Sequence, residues 1–280
     1  MKTMRMNLPE GWYPKDEKSC AADIERYLSL VDHEMPTGEW IGGIVPHAGW
    51  YYSGKLACQV IHLLSKTKDV DVVAVVGGHL RSGDDIHYYD YEAFETPLGN
   101  IERCEELFEA VNGALGDSAM PDESIDNTVE IQLPFVRQFF PEAKILAFRS
   151  PPSHLAVKLG ECLAREAQKL KKKIVFVGST DLTHYGPNYG FQPKGVGEES
   201  VKWVKEHNDR EFIKLLERME GEKAIEHSLK HHSACSAGGA VACLAGCESL
   251  GKVEGAVLDY YTSYDVRKDL SFVGYVGVMY

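Results

Sequence analysis

Three histidines and one aspartate stand where apolar, strand-like runs of this chain end. Residues 40–45 lead into Pro46-His47-Ala48-Gly49, and residues 70–76 lead into Gly77-Gly78-His79. Residues 174–177 lead into Gly178-Ser179-Thr180-Asp181-Leu182-Thr183-His184. In open α/β sheets the carboxyl ends of strands are where ligands and reacting groups gather. Neutral imidazoles suit zinc, iron or copper, and a nearby carboxylate fixes their tautomers or acts as a base. His47, His79, Asp181 and His184 therefore form the main candidate constellation.

Other patterns carry less. His227, His231 and Cys235 are spaced i, i+4, and a continuous helix would put three soft ligands on one face. The same residues also read as an exposed helix followed by a turn. Gly49-x4-Gly54-Lys55 approaches a phosphate-binding loop, but Leu56 stands where a hydroxyl would bind Mg²⁺, and Trp50, Tyr51 and Tyr52 crowd its interior. We read that match as coincidental. The tract Lys171-Lys172-Lys173 reads as a solvated helix end, suited to the negative end of the helix dipole.

These residues need a scaffold of alternating strands and helices. Helical spacing predicts helices over residues 22–31, 56–64, 102–115, 155–170, 197–217 and 235–250. Asp126-Asn127-Thr128 predicts a helix cap, followed by Val129, Leu133, Val136 and Phe140 at helical spacing. Residues 86–94 read as a hairpin, and 144–148, 255–262 and 271–279 as strands. The alternation predicts an α/β fold, a three-layer α/β/α sandwich with a mixed central sheet, in one domain over residues 1–280.

The 280 residues are 44% hydrophobic and 26% charged, the composition of an ordinary globular chain. A formal net charge of −12 argues against a nucleic-acid surface or an anionic-membrane binder. No apolar run reaches the ~18 residues of a membrane span, and the first residues lack the apolar core of a signal peptide. We expect a cytoplasmic protein with no nucleic-acid or membrane partner. Its seven cysteines are odd in number and form no CxxC pair, so reduced thiols are expected.

Along nearly its whole length the chain resembles the Memo family, whose prokaryotic members are often called AmmeMemoRadiSam system protein B. Gly11-Trp12-Tyr13-Pro14 resembles the family's GSWYP, and residues 46–54 resemble PHAGYxYSG. Thr128-Val129-Glu130-Ile131-Gln132-Leu133-Pro134-Phe135 resembles HSxEVQLPF. Residues 179–186 look like SSDxxHWG, and 260–265 like YxTSGD. The family is similar in fold to class III extradiol ring-cleavage dioxygenases, non-haem Fe(II) enzymes, with a cysteine replacing the carboxylate ligand. The resemblance implies His47, His79 and Cys235 as metal ligands, with Asp181 and His184 on the open side. Asn127 replaces a family histidine, Leu80 replaces the second histidine of GPSHH, and Ser236 follows Cys235 where the family has glycine.

The expected function is that of a metal-dependent oxidoreductase of unstated substrate. Its ion would be a divalent metal, Fe(II) first, with Zn or Cu as alternatives. His184 is the expected acid/base, and Asp181 would position it. One rival is a non-catalytic peptide- or protein-binding module using the same cleft, with Trp50, Tyr51, Tyr52 and Tyr185 lining it. Another is a zinc-dependent hydrolase. In each case a small-molecule or peptide ligand would sit at the strand ends.

Overall fold

A computed structural model describes residues 2–30, 38–124 and 126–280. Among these residues the main sheet has nine strands. Four run parallel through the middle: Gly42–Val45, Ile174–Ser179, Val72–Gly77 and Lys144–Arg149, in that spatial order. Phe272–Met279 runs antiparallel beside Gly42–Val45 and also pairs Ala256–Thr262 and His184–Tyr185. Beyond Lys144–Arg149 lie Ile86–Tyr89, antiparallel to it, and then Ala119–Asp122.

The central strand is apolar because both of its faces are covered. Val72, Ala74 and Val76 pack with the helices Glu105–Leu115, His154–Lys169 and Ala237–Ser249. Val73 and Val75 pack the other way, against Glu17–Ser29 and Trp50–Leu64. Successive side chains of a strand alternate in direction, so one five-residue run feeds two cores. Burying each valine contributes about 1.5–3 kcal/mol. This is the three-layer α/β/α arrangement with a mixed sheet.

Several elements differ from their sequence pattern. Residues 86–94 do not form a hairpin: Ile86–Tyr89 stays in the main sheet, while Ala93–Phe94 joins a small sheet between Thr3–Met4 and Ile101–Glu102. Pairing with the chain start, some ninety positions away, outcompetes the local turn. The predicted helix over 197–217 is α-helical at Glu198–Trp203 and Asp209–Glu217, with a π turn at Val204–Asn208 between them. The helix after Asp126 is two short ones, Asn127–Glu130 and Leu133–Phe139, with Pro134 at the start of the second. The helix expected over 22–31 spans Glu17–Ser29, and Val31 lies outside the described residues. No helix among the described residues is long and apolar enough to cross a membrane.

Candidate metal centre

The four central strands all present their carboxyl ends at one edge, which is why residues far apart in sequence meet. His47 follows the first strand, Asp181 the second and His79 the third. At the turn after Gly42–Val45, the Gln132 Nε2 donates to the Pro46 carbonyl at 2.8 Å and the Asn127 Nδ2 donates to the His47 carbonyl at 2.9 Å. Both carbonyls of this turn are thus answered by side chains. Asn127 fills the place of the family's histidine by fixing backbone. Gly78 has φ +113°, and a Cβ there would lie 2.6 Å from that of Arg149, so only glycine makes the turn that delivers His79.

Trp50 opens the next helix without a side-chain cap; its N–H donates to the Trp12 carbonyl at 2.8 Å. The Gly-Trp-Tyr-Pro segment therefore closes the helix that follows His47. Because the helix begins at Trp50, the Gly49–Lys55 stretch is no phosphate loop. Trp50 and Tyr185 are core residues, stacked on Phe135 and Phe272, and only Tyr52 of the four aromatics lines the cleft at His47.

His47, His79 and Cys235 bring one donor atom each to within 4.8 Å of one another. The Cys235 Sγ lies 3.2 Å from His47 Nε2, and the His47 and His79 rings meet edge to face at 5.0 Å. A tetrahedral ion with M–S near 2.3 Å and M–N near 2.0–2.1 Å would hold sulfur and nitrogen about 3.5 Å apart. The spacing thus fits a bound ion, and the cluster could hold one. The outward nitrogens are tied down: His47 Nδ1 is 3.1 Å from the Ser179 Oγ, and His79 Nδ1 is 3.3 Å from Asp126 Oδ2. Such partners orient a ligating ring and leave Nε2 for the metal. Asp126, read from sequence only as a helix cap, and Ser179 are the functional partners that sequence reasoning missed. Both sit inside the quoted motifs or next to them, but nothing local announces that they face a histidine.

Cys235 reaches the site from a turn. The helix Gly221–His231 ends there, His232 takes a left-handed φ of 52°, and Ala234 bridges Leu182 before Cys235. The continuous face His227–His231–Cys235 is therefore not formed; His227 Nδ1 instead meets the Ser233 Oγ at 2.8 Å. His231 and His232 belong to no metal-type cluster among the described residues.

Electrostatics favour a thiolate. Burial alone would raise the Cys235 pKa, but His47, His184 and His79 around it hold it well below the ordinary thiol range. Burial opposes charge on His79, yet Asp126 and Cys235 push its pKa up to about 10. His47 is likewise held above its ordinary value by Asp181 and Cys235, against burial. From a thiolate facing imidazoles that retain protons, a divalent cation would displace those protons on binding.

Asp181 is buried, and its Oδ1 accepts the His47 N–H at 2.7 Å. Its Oδ2 stands 4.0 Å from His184 Nε2, beyond hydrogen-bond reach, so the expected Asp181–His184 hydrogen bond is not formed. His184 Nε2 is buried and makes no hydrogen bond of ordinary geometry, Cys235 being the polar group that acts on the ring most strongly, while the ring packs edge to face on Tyr189 at 4.9 Å. Two cavities meet at these rings. One of 400 Å³ is lined by His47, His79, Asp181 and His184 among others. The other, of 540 Å³, is lined by Cys235, Leu80 and again His184.

Comparison with known proteins identifies the family. A family model described as Memo-like protein matches residues 6–279. A MEMO1 family protein of Thermococcus onnurineus is 26% identical, with 96% of each chain covered. Another, of Methanococcus vannielii, is 30% identical over 94% of this chain and 88% of its own. Among solved structures, an uncharacterized protein of Escherichia coli K12 shares the fold, with a TM-score of 0.53 at 12% identity, covering 85% of this chain and 98% of that one. With the family's motifs gathered around one sheet edge and its model matching nearly end to end, the chain belongs to the Memo family.

Proposed function

We propose that this protein is a metal-dependent oxidoreductase whose ion is held by His47 Nε2, the facing nitrogen of His79 and the Cys235 thiolate. The observation that carries the reading is the convergence of these three donors beside His184, whose Nε2 is buried. Fe(II) is the favoured ion, with Zn or Cu as alternatives. A redox-active ion there would supply one-electron chemistry and open positions for an oxidant or a substrate.

The chain's own residues then have distinct tasks. Ser179 and Asp126 hold the two ligating rings, and Asp181 locks the His47 backbone. His184 lies within reach of both cavities and would accept or return a substrate proton at Nε2. Burial disfavours its charged form, but the Cys235 thiolate holds its pKa above the ordinary range. Once that thiolate is shared with a cation, the imidazole loses much of the charge that favours its proton and becomes a base of more ordinary strength.

The test is metal content of protein purified without oxygen, for the natural chain and for Cys235→Ser. Near-stoichiometric iron lost in the variant supports the reading. Stoichiometric zinc would move it to a hydrolase, and no metal in either protein would leave the cleft as a binding module.

A further inference from the structure

The carboxylate behind His79 follows the outermost strand of the main sheet. Ala119–Asp122 pairs only with Ile86–Tyr89, and none of its four residues is buried. Such an edge has few apolar contacts to hold it in place. Asp126 comes four residues later, with its Oδ2 facing His79 Nδ1 at 3.3 Å.

Arg149 ties these residues to the sheet. It ends the strand Lys144–Arg149 beside the Gly78 turn that delivers His79, and its side chain is buried. Its Nη2 lies 3.2 Å from Asp126 Oδ2, on the oxygen that faces His79. Its Nη1 donates to Asp122 Oδ2 and to the Ser124 Oγ. Asp122 Oδ2 in turn meets His87 Nδ1 at 3.1 Å. Among the described residues no other Lys or Arg pairs with either carboxylate. A planar guanidinium fork reaches both carboxylates at once, whereas a lysine ammonium is a single point charge. Without that fork, two little-exposed carboxylates would face each other with less compensation.

We infer that Arg149 is a positioning residue of the candidate metal centre. It clamps Asp122, Ser124 and Asp126 to the end of a central strand, so that Asp126 stays on His79 Nδ1 and the ring's Nε2 stays turned to the ion. Arg149 acts on His79 only through Asp126. The inference deepens the proposed function and rests on it for the presence of an ion, but the clamp is equally a property of the metal-free chain.

A double-mutant cycle on Arg149 and Asp126 tests this with two readouts. Zn(II) affinity, by chelator competition, should fall about 10–100-fold in Arg149→Gln, as in Asp126→Asn. The double variant should bind no more weakly than Asp126→Asn alone. In metal-free protein, the NMR signal of the His79 Nδ1 proton should move upfield and exchange faster in Asp126→Asn and Arg149→Gln alike. Asp122→Asn, which weakens the far arm of the fork only, should give a smaller change in both readouts. If Arg149→Gln does not fold, Arg149→Lys replaces it in the cycle, since it keeps the charge and loses the second arm. An unchanged ring signal in the Arg149 variant, or a further tenfold loss of affinity when it is added to Asp126→Asn, would overturn the inference. If the natural chain binds no Zn(II), the metal reading falls and the ring signal alone decides this one. Tight Zn(II) binding that ignores the Arg149 variant would keep the metal site and sink the clamp.

Discussion

At Asp126 one carboxylate serves backbone and candidate metal site together. Its Oδ1 accepts the Thr128 N–H at 2.8 Å, and its Oδ2 faces His79 Nδ1 and, at 3.2 Å, the Arg149 guanidinium. Burial works against its charge, but His79, Thr128 and Arg149 hold its pKa well below the usual carboxylate range. Asp126→Asn keeps the cap and removes the anionic acceptor behind His79. Metal affinity, measured by chelator competition, should fall about 10–100-fold. His184→Ala should instead keep full metal content and lose metal-dependent turnover; loss of metal equal to that of Cys235→Ala would make His184 a ligand. His47, His79, Asp181 and His184 were legible because each follows an apolar strand. Cys235 was not, because a left-handed turn after His231 carries it in, and only the family resemblance separated it from His227 and His231. The second role of Asp126 was hidden because a cap shows in local sequence and a partner 47 positions away does not.

Two elements hold these residues in place by unusually close contact. The helix Ala237–Ser249 follows Cys235 directly, and a Cβ at Gly239 would meet the Val76 carbonyl at 2.7 Å and the Gly77 Cα at 2.8 Å. Gly239→Ala must push this helix off the strand end, at a cost of about 1–3 kcal/mol. A lower thermal midpoint and weaker metal binding in the same variant would show that helix and ligand move together. The π turn at Val204–Asn208 precedes Asp209, whose Oδ1 accepts the Thr183 N–H at 3.1 Å and whose Oδ2 accepts the Tyr260 hydroxyl at 2.8 Å. Burial raises the Asp209 pKa to about 7, with Thr183 and Tyr260 pulling the other way. Because the folded pKa exceeds the unfolded one, the folded state holds the proton between roughly pH 4 and 7. Stability is therefore full below that window and falls as pH rises through about 7. Denaturant melts should show a loss on the order of 2–4 kcal/mol across it, and Asp209→Asn should flatten that slope. Helical spacing revealed where this helix runs but not its π turn, because a widened turn leaves the apolar pattern nearly unchanged.

Across the whole molecule, the parallel centre of the sheet and the chain's first residues together make the site. Alternating apolar runs disclosed the layers, since a strand covered on both faces must be apolar throughout. The small sheet of Thr3–Met4, Ala93–Phe94 and Ile101–Glu102 left no such trace, because its two-residue strands carry no periodicity. The segment leading to Trp12 is pinned by the buried Glu130, which accepts the Asn7 and Leu8 N–H groups at 3.0 Å and the Tyr13 hydroxyl at 2.8 Å. Glu130→Ala leaves those donors unanswered, at about 1–3 kcal/mol for each that stays buried. Hydrogen exchange over residues 6–15 should rise sharply in that variant while the central strands stay protected. The central claim is that one ion sits between His47, His79 and Cys235. X-ray absorption at the metal edge of protein isolated without oxygen tests it most directly. One sulfur near 2.3 Å and two nitrogens near 2.0–2.1 Å are predicted; a first shell without sulfur, unchanged by Cys235→Ser, would contradict it.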